Sequence, residues 1–548
     1  MTLSKSTIRD RFLPAALIVL GAVLLYAHTI QAPFYLDDVP ALVDNPRLRD
    51  LGAAFRDIFG QRGLTCLTFA LNYSLTGWEL PPLHAVNIAL HAGCGLLVWQ
   101  LLRRLLGGCR WLPLLGALLF IAHPLQTQAV TYLVQRATTL GTFLFLLAFL
   151  LYLRARDQLT AGLALSSPAF LRPYLGALLA GAGAVLAKEN TVTLPLVLLA
   201  YDRLFPRPEA ANRKANNLTS LPFFAVPLAV AAAVLLVPLL RGGVQIRGQD
   251  LHAFRWDDAL HYLFTQFTVI WVYLRMLVLP GDQALIHNYP LADTLLSGSS
   301  LLGLGGLLAL AWLGWHLRRR RPLAALGIAW FFLGLAVESS IIPLDPMFEH
   351  RLYLPMFGFL LAFLDGMAAL AGEKTTTMLC TVAVLLCLPL TWQRNALWSE
   401  PIAFFQDNLR VLQEHGRIPT AEAPGGSDLR YDLGLALAKA GRLDEAMEKF
   451  RQVLAANPGH QDARVSLGIA LALGHRYDEA IVEYEAVLRA NPGHFLAHYH
   501  RGNSLLQKGR TAEAIAEYSR AVELNPESAD ARNRLNLALG IMRGFGTP

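Results

Sequence analysis

Long apolar runs, each closed by a short polar turn, fill the chain as far as Trp392. A bilayer-spanning helix needs about 20 apolar residues. Runs near that length recur at 12–30, 83–105, 111–123, 137–153, 172–187, 191–205, 219–240, 299–316, 322–340, 353–371 and 375–392. A further stretch, 259–279, has an apolar helical pattern but carries His261, Gln266 and Arg275. Beyond Trp392 the pattern changes to short amphipathic helices, and the sequence repeats itself. Asn457-Pro458-Gly459-His460 returns as Asn491-Pro492-Gly493-His494 and then as Asn525-Pro526, each time after 34 residues.

Other positions keep the same step. Leu433-Gly434 and Leu467-Gly468 recur, with Gly502 in the third copy. Ala446, Ala480 and Ala514 follow, then Phe450, Tyr484 and Tyr518. A small residue at a helix crossing, an aromatic knob and a proline closing the second helix form the tetratricopeptide pattern. The fold expected is therefore all-α: a polytopic membrane body followed by a soluble helical solenoid. Its parts are a body at 1–392, a linker and leading helix at 393–426, three repeats at 427–526, and a capping helix and tail at 527–548.

Composition agrees. The chain is 54% hydrophobic and 16% charged, whereas soluble domains carry about 25% charged residues. The net charge of +7 does not call for nucleic acid, because the basic residues punctuate the apolar runs. With the N-terminus in the cytoplasm, Arg103, Arg104, Arg110, Arg154, Arg156, Arg203, Arg207, Arg213, Lys214 and the 318–321 arginine run all fall in cytoplasmic turns, as the positive-inside rule requires. A span at 259–279 would send the 318–321 run outside. That stretch is therefore read as an amphipathic helix on the outer interface, within an external loop at 241–298. The result is about eleven spans and an external C-terminus. Ala27-His28-Thr29 makes a poor cleavage site, so 12–30 reads as an uncleaved signal anchor. The five cysteines show no metal spacing and no disulfide framework.

On this topology the polar loops gather on the outer face. The first contains Asp37-Asp38, which could cap a helix or supply a general base. These loops resemble a known family. The carriers are Asp37-Asp38 with Asp44-Asn45-Pro46, His123-Pro124 with Val130 and Arg136, and Ala187-Lys188-Glu189-Asn190. They continue with Tyr273-Leu274-Arg275 and Pro280, Glu349-His350-Arg351-Leu352-Tyr353-Leu354-Pro355, Arg394-Asn395 with Trp398, and the repeats. The set resembles the transmembrane and tetratricopeptide-repeat (TMTC) protein O-mannosyltransferases, of the GT-C superfamily of glycosyltransferases. The resemblance implies a GT-C-like body, a lipid-phosphate-linked sugar donor and an acidic residue in the first external loop. One departure stands out: Leu125-Gln126-Thr127-Gln128 has amides where the family often has a carboxylate.

The resemblance implies Asp37 or Asp38 as the base, with Lys188, His350, Arg351 and Arg136 binding the donor phosphate. Glu189 and Glu349 would orient those cations, and His123 would support them. No metal is expected; a diphosphate donor would bring a divalent cation to Asp37 and Asp38. The expected partners are the membrane, a lipid-linked donor, and a protein or peptide in the repeat groove that is the acceptor or helps recruit it. The acceptor is a protein hydroxyl or an envelope glycan. Two other readings stay open: a non-catalytic scaffold that displays the repeats, and a transporter of lipid-linked sugar. The transporter would want ionisable residues near helix centres or matched halves, and the charges here sit at helix ends. The abundance of Ala, Leu, Gly and Arg looks bacterial, which places the repeats in the periplasm; in a eukaryote the same topology places them in the lumen of the endoplasmic reticulum.

Overall fold

The structure, a computed structural model, describes residues 5–206, 213–240, 245–246, 249–250, 255–417 and 429–544. Part of the expected external loop, at 241–244, 247–248 and 251–254, lies outside these residues, as do 418–428 and 545–548. So do Arg207 and the side chains of Arg213 and Lys214. The chain forms two compact units, Met1–Glu400 and Pro401–Pro548. Regular structure is helical, apart from a two-residue pairing of Gln245–Ile246 with Gln249–Asp250.

Among the described residues of the first unit, six helices are long and apolar enough to cross a membrane: Phe12–Thr29, Leu80–Leu105, Leu133–Thr160, Pro168–Ala187, Gly298–Leu317 and Pro355–Ser399. Leu112–Ala122 and Pro322–Leu335 are shorter apolar helices, and Pro222–Val234 is an apolar stretch within the 28-residue helix Arg213–Leu240. Length and apolarity thus give fewer crossings among the described residues than the sequence suggested. Part of the reason is local, because polar motifs stop some helices early. His123-Pro124 ends Leu112–Ala122 after 11 residues, about 16 Å of helix against a hydrocarbon core of roughly 30 Å.

Two expected spans run together in Pro355–Ser399, which breaks at Gly372 (φ 82°, ψ 159°). That left-handed φ suits glycine. Near the start, Trp330 Nε1 donates to Leu354 O at 3.2 Å. Near the end, Tyr35 Oη donates to Trp398 O at 2.8 Å and Asn395 donates to Leu25 O at 2.9 Å. Between them, Asp365 accepts from the Ala324 amide at 3.2 Å, at the opposite end of Pro322–Leu335. The chain therefore doubles back at Gly372. Small residues allow a close backbone crossing here: a Cβ on Gly327 would lie 2.5 Å from Gly358 O, and one on Gly358 2.6 Å from Gly327 O. Phe145, Phe149, Trp330 and Phe357 fill the core beside it.

The bundle has two unlike ends. At one, arginines bind the turns: Arg104 to Asp157, Arg154 to Gln100 at 3.2 Å, Arg156 to Asp202 at 3.2 Å, and Arg321 to Asp365 at 3.9 Å. At the other, the segments around 35–62, 123–135, 188–193, 262–290 and 338–354 interlock through side-chain hydrogen bonds. Helix Trp256–Val278 meets this cap along its length, with Tyr262 bonding Glu338 O, Gln266 bonding Pro346 O and Tyr273 bonding Phe348 O.

The second unit begins with Pro401–Glu414. Three helix pairs follow: Leu429–Lys439 with Leu443–Ala456, Gln461–Leu473 with Tyr477–Ala490, and Phe495–Gln507 with Thr511–Leu524. Ala529–Gly544 closes the unit. Phe450, Tyr484 and Tyr518 are fully buried. Each ring presses on the glycine of its own pair, 2.5–2.8 Å from where a Cβ on Gly434, Gly468 or Gly502 would stand. His460 and His494 cap the next helices by accepting from Ala463 and Ala497 amides at 3.2 Å.

Candidate active site

Asp37 and Asp38 are adjacent but differently placed. Asp38 is 1% exposed. One of its oxygens accepts the Val134 amide at 2.7 Å, the other the Tyr35 amide at 3.1 Å. It therefore staples the first loop to the start of Leu133–Gln135, where helix amide groups lack partners. Burial pushes its carboxyl up to about 8, against the pull of the Tyr35, Val134 and Leu133 amides. Asp37 instead reaches the surface. Its amide donates to Tyr132 Oη at 2.9 Å. Crowding by the cap and by Asp345 raises its carboxyl, while Tyr132 and Arg62 act to lower it. Leu36, just before it, has φ 35°, a conformation that side-chain-bearing residues adopt sparingly.

A cation cluster lies beyond Asp37. Arg62, at φ 54° before helix Gly63–Thr76, pairs with Glu189 at 3.4 Å. Lys188 Nζ pairs with Glu338 at 2.9 Å and donates to Thr138 at 2.9 Å. Asn190 donates to the other Glu338 oxygen at 3.0 Å. Burial depresses the Lys188 ammonium, with Arg62 and Arg351 adding to the effect and Glu338 opposing it. Burial works to raise Glu338, yet Lys188 and Arg351 hold it below the usual carboxylate range. Arg351 uses Nη1 on Tyr262 Oη at 3.2 Å and Pro346 O at 3.3 Å. Its Nε and Nη2 have no acceptor among the described residues, so one edge of the guanidinium fork is free. Three acceptors in this region, Glu189 Oε1, Asn190 Oδ1 and Gln266 Oε1, are buried without a hydrogen-bond partner among the described residues. Native interiors rarely leave such atoms unpaired.

The remaining expected residues do other work than the roles expected of them. Arg136, expected to bind phosphate, is fully buried. It donates to Asn87 at 2.8 Å, Asn72 at 2.7 Å, Thr68 at 3.4 Å and Leu83 O at 2.9 Å, and lies 3.9 Å from the Phe69 ring centre. Every guanidinium nitrogen is engaged in joining helices, and none is left for a ligand. Glu189 pairs with Arg62 instead of orienting Lys188. Glu349 accepts from the Ala284 amide at 2.6 Å, Gln283 at 3.0 Å and His287 at 3.1 Å; it ties down a loop and orients no cation. His123 bonds Leu277 O at 3.2 Å and accepts the Leu125 amide at 3.3 Å, a helix-stop arrangement. His350 bonds Gln128 Oε1 through its amide at 2.7 Å and through Nδ1 at 3.1 Å. Burial and the nearby Lys188, Arg351 and Arg62 keep its imidazole neutral. It can accept a hydroxyl hydrogen bond, but it brings no positive charge. Asp37, Lys188 and Arg351 remain, joined by Arg62, Glu338, Tyr132 and Tyr262, which sequence reasoning did not single out.

The tetratricopeptide-repeat profile matches 431–486 and 475–529. Protein O-mannosyl-transferase TMTC1 of Homo sapiens is 28% identical over 511 residues, covering 80% of this chain. Protein O-mannosyl-transferase Tmtc3 of Drosophila melanogaster is 24% identical over 518 residues and also covers 80%. The chain is thus similar to TMTC proteins over four fifths of its length. The match takes in body and repeats alike, and with the long apolar helices it makes the chain an integral membrane protein. The chain spans about half the length of these TMTC relatives, 54% of each. Among solved structures, a MamA double mutant is 28% identical and covers 24% of this chain and 73% of its own, with a TM-score of 0.22. YrrB, described as a TPR protein with an unusual peptide-binding site, is 18% identical and covers 31% and 89%, with a TM-score of 0.22.

Proposed function

We propose that this chain is a GT-C-like glycosyltransferase that moves a sugar from a polyprenyl-phosphate donor to a protein hydroxyl at the extracytoplasmic face. The observation that carries the reading is the pairing of a surface-reaching carboxylate of raised pKa, Asp37, with a buried cation cluster that has an unused guanidinium edge. The Asp37 carboxylate takes the proton of the acceptor hydroxyl. The hydroxyl oxygen forms a bond to the anomeric carbon as that carbon's bond to the phosphate oxygen breaks, and Asp37 is left protonated. The phosphate departs with the bonding electrons, and its charge is met by Arg351 through Nε and Nη2, with Lys188 and Arg62 adding field. The unpaired oxygens of Asn190, Gln266 and Glu189 suit sugar hydroxyls. The repeats recruit the acceptor.

The test is glycoproteomics on cells that lack the endogenous chain and express the parent or Asp37→Asn. A hexose mass present with the parent and absent with the variant supports transfer. Identical glycoproteomes, with both proteins inserted normally, would overturn it and favour a membrane-anchored repeat scaffold.

A further inference from the structure

A second site lies at the arginine end of the bundle, away from Asp37. Pro322–Leu335 begins here and runs toward Glu338, and Leu194–Leu204 leaves the Lys188 segment and ends here. Between these helices and the end of Gly298–Leu317 is a cleft of about 770 Å³, within the usual range of ligand sites. Ala200, Ala311, Gly314, Ala325 and Ala329 form its walls and leave the helices apart for want of side-chain bulk. Phe332 and Trp315 add apolar surface, and Arg203, Arg318 and Arg319 rim it. Arg318 lies 3.6 Å from the Trp315 ring centre and donates to Trp315 O at 2.5 Å, which fixes its direction. Among the described residues, none of the three arginines has a carboxylate partner. Nearby acids are taken: Asp202 by Arg156 and Tyr152, and Asp365 by Arg321. The adjoining face of Gly298–Leu317 exposes Leu308, Trp312 and Leu313, an apolar surface suited to lipid.

We infer that this cleft binds an anionic glycerophospholipid. The phosphodiester sits among Arg203, Arg318 and Arg319, and one acyl chain lies along the alanine-lined wall. Charge complementarity argues for an anion, since three cations without a carboxylate partner among the described residues line one opening. The apolar wall argues for a chain attached to that anion. The inference does not depend on the transferase reading.

The full-length chain in mild detergent would be examined by native mass spectrometry and thermal unfolding with phosphatidylglycerol, phosphatidylcholine or inorganic phosphate. Retained phosphatidylglycerol, in preference to phosphatidylcholine, is expected. Retention should fall by about fivefold for each rim arginine removed, in Arg319→Gln and in the triple Arg203→Gln, Arg318→Gln, Arg319→Gln. Arg320→Gln, outside the cleft, should behave as the parent. If the triple variant does not fold, the exposed Arg319 single variant decides. Equal retention of both lipids, undiminished binding in Arg319→Gln, or an equal loss in Arg320→Gln would overturn the site. Stabilisation by inorganic phosphate matching that by phosphatidylglycerol would overturn the lipid assignment.

Discussion

Leu36 turns the chain so that Asp37 reaches the surface while Asp38 faces inward onto backbone amides. The two carboxylates should respond differently to the same change. Asp37→Asn removes the proposed base and should cost transfer about 10²- to 10⁴-fold with the melting temperature unchanged. Asp38→Asn turns an NH₂ toward amide donors and should cost about 1–3 kcal/mol of stability, read as a lower melting temperature. The pH profile follows from Asp37. A base acts deprotonated and its pKa is raised, so the acid limb of kcat/KM should lie above about 3.9, the ordinary aspartate value. A limb at or below that value would remove Asp37 from the role. Lys188 and Glu338 make a second residue-scale case. Lys188→Met removes the ion-pair partner of the buried Glu338 carboxylate and should destabilise by about 3–5 kcal/mol, with Lys188→Met, Glu338→Leu recovering part of the loss in thermal unfolding. Glu338 has a depressed folded pKa, so its contribution is complete above about 4.3, the unfolded value, and fades as pH falls through the folded value.

At the scale of elements, backbone contact sets the tolerances. Gly358→Leu would drive a side chain into Gly327 O and the Phe331 amide; it should cost at least about 1–3 kcal/mol and lower the melting temperature. Gly372→Ala meets no atom within 4 Å but must hold φ 82°, so about 1 kcal/mol is expected. The repeats were legible because each copy makes the same contact: the knob at 450, 484 and 518 meets the glycine at 434, 468 and 502, and identical physics leaves an identical mark. The long helices were legible from apolar length, and the Gly372 turn from the gap between two runs. The cluster was only half legible. Arg62, Lys188, Glu338 and Arg351 come from four distant turns, and no local pattern marks their meeting. Charges at helix ends also look alike in sequence whether free, like one edge of Arg351, or fully engaged, like Arg136 and Glu349.

For the whole molecule, the separation of an arginine-bound end from the hydrogen-bonded cap that carries Asp37 is the feature to test. If the arginine end is cytoplasmic, as the positive-inside rule argues, alkaline phosphatase fused after Pro548 should be active in cells. An inactive fusion in an inserted protein would place the repeats in the cytoplasm and withdraw the extracytoplasmic assignment. The two compact units also predict divided labour. Removing 401–548 should leave insertion and helical content of the body intact and raise KM for protein acceptors more than it lowers kcat. A body that fails to insert without the repeats would contradict that division.

The Arg136 network also bears on the order in which the protein is made. A buried charge is costly until it is paired, and Arg136 opens the helix Arg136–Thr160. The groups that receive Arg136 belong to Thr68, Asn72, Leu83 and Asn87, all synthesised before it. By the time Leu133–Thr160 leaves the ribosome its docking groups have been delivered, so this helix need never wait in the bilayer with its charge unanswered. The reverse order, imposed by circular permutation, would strand it there.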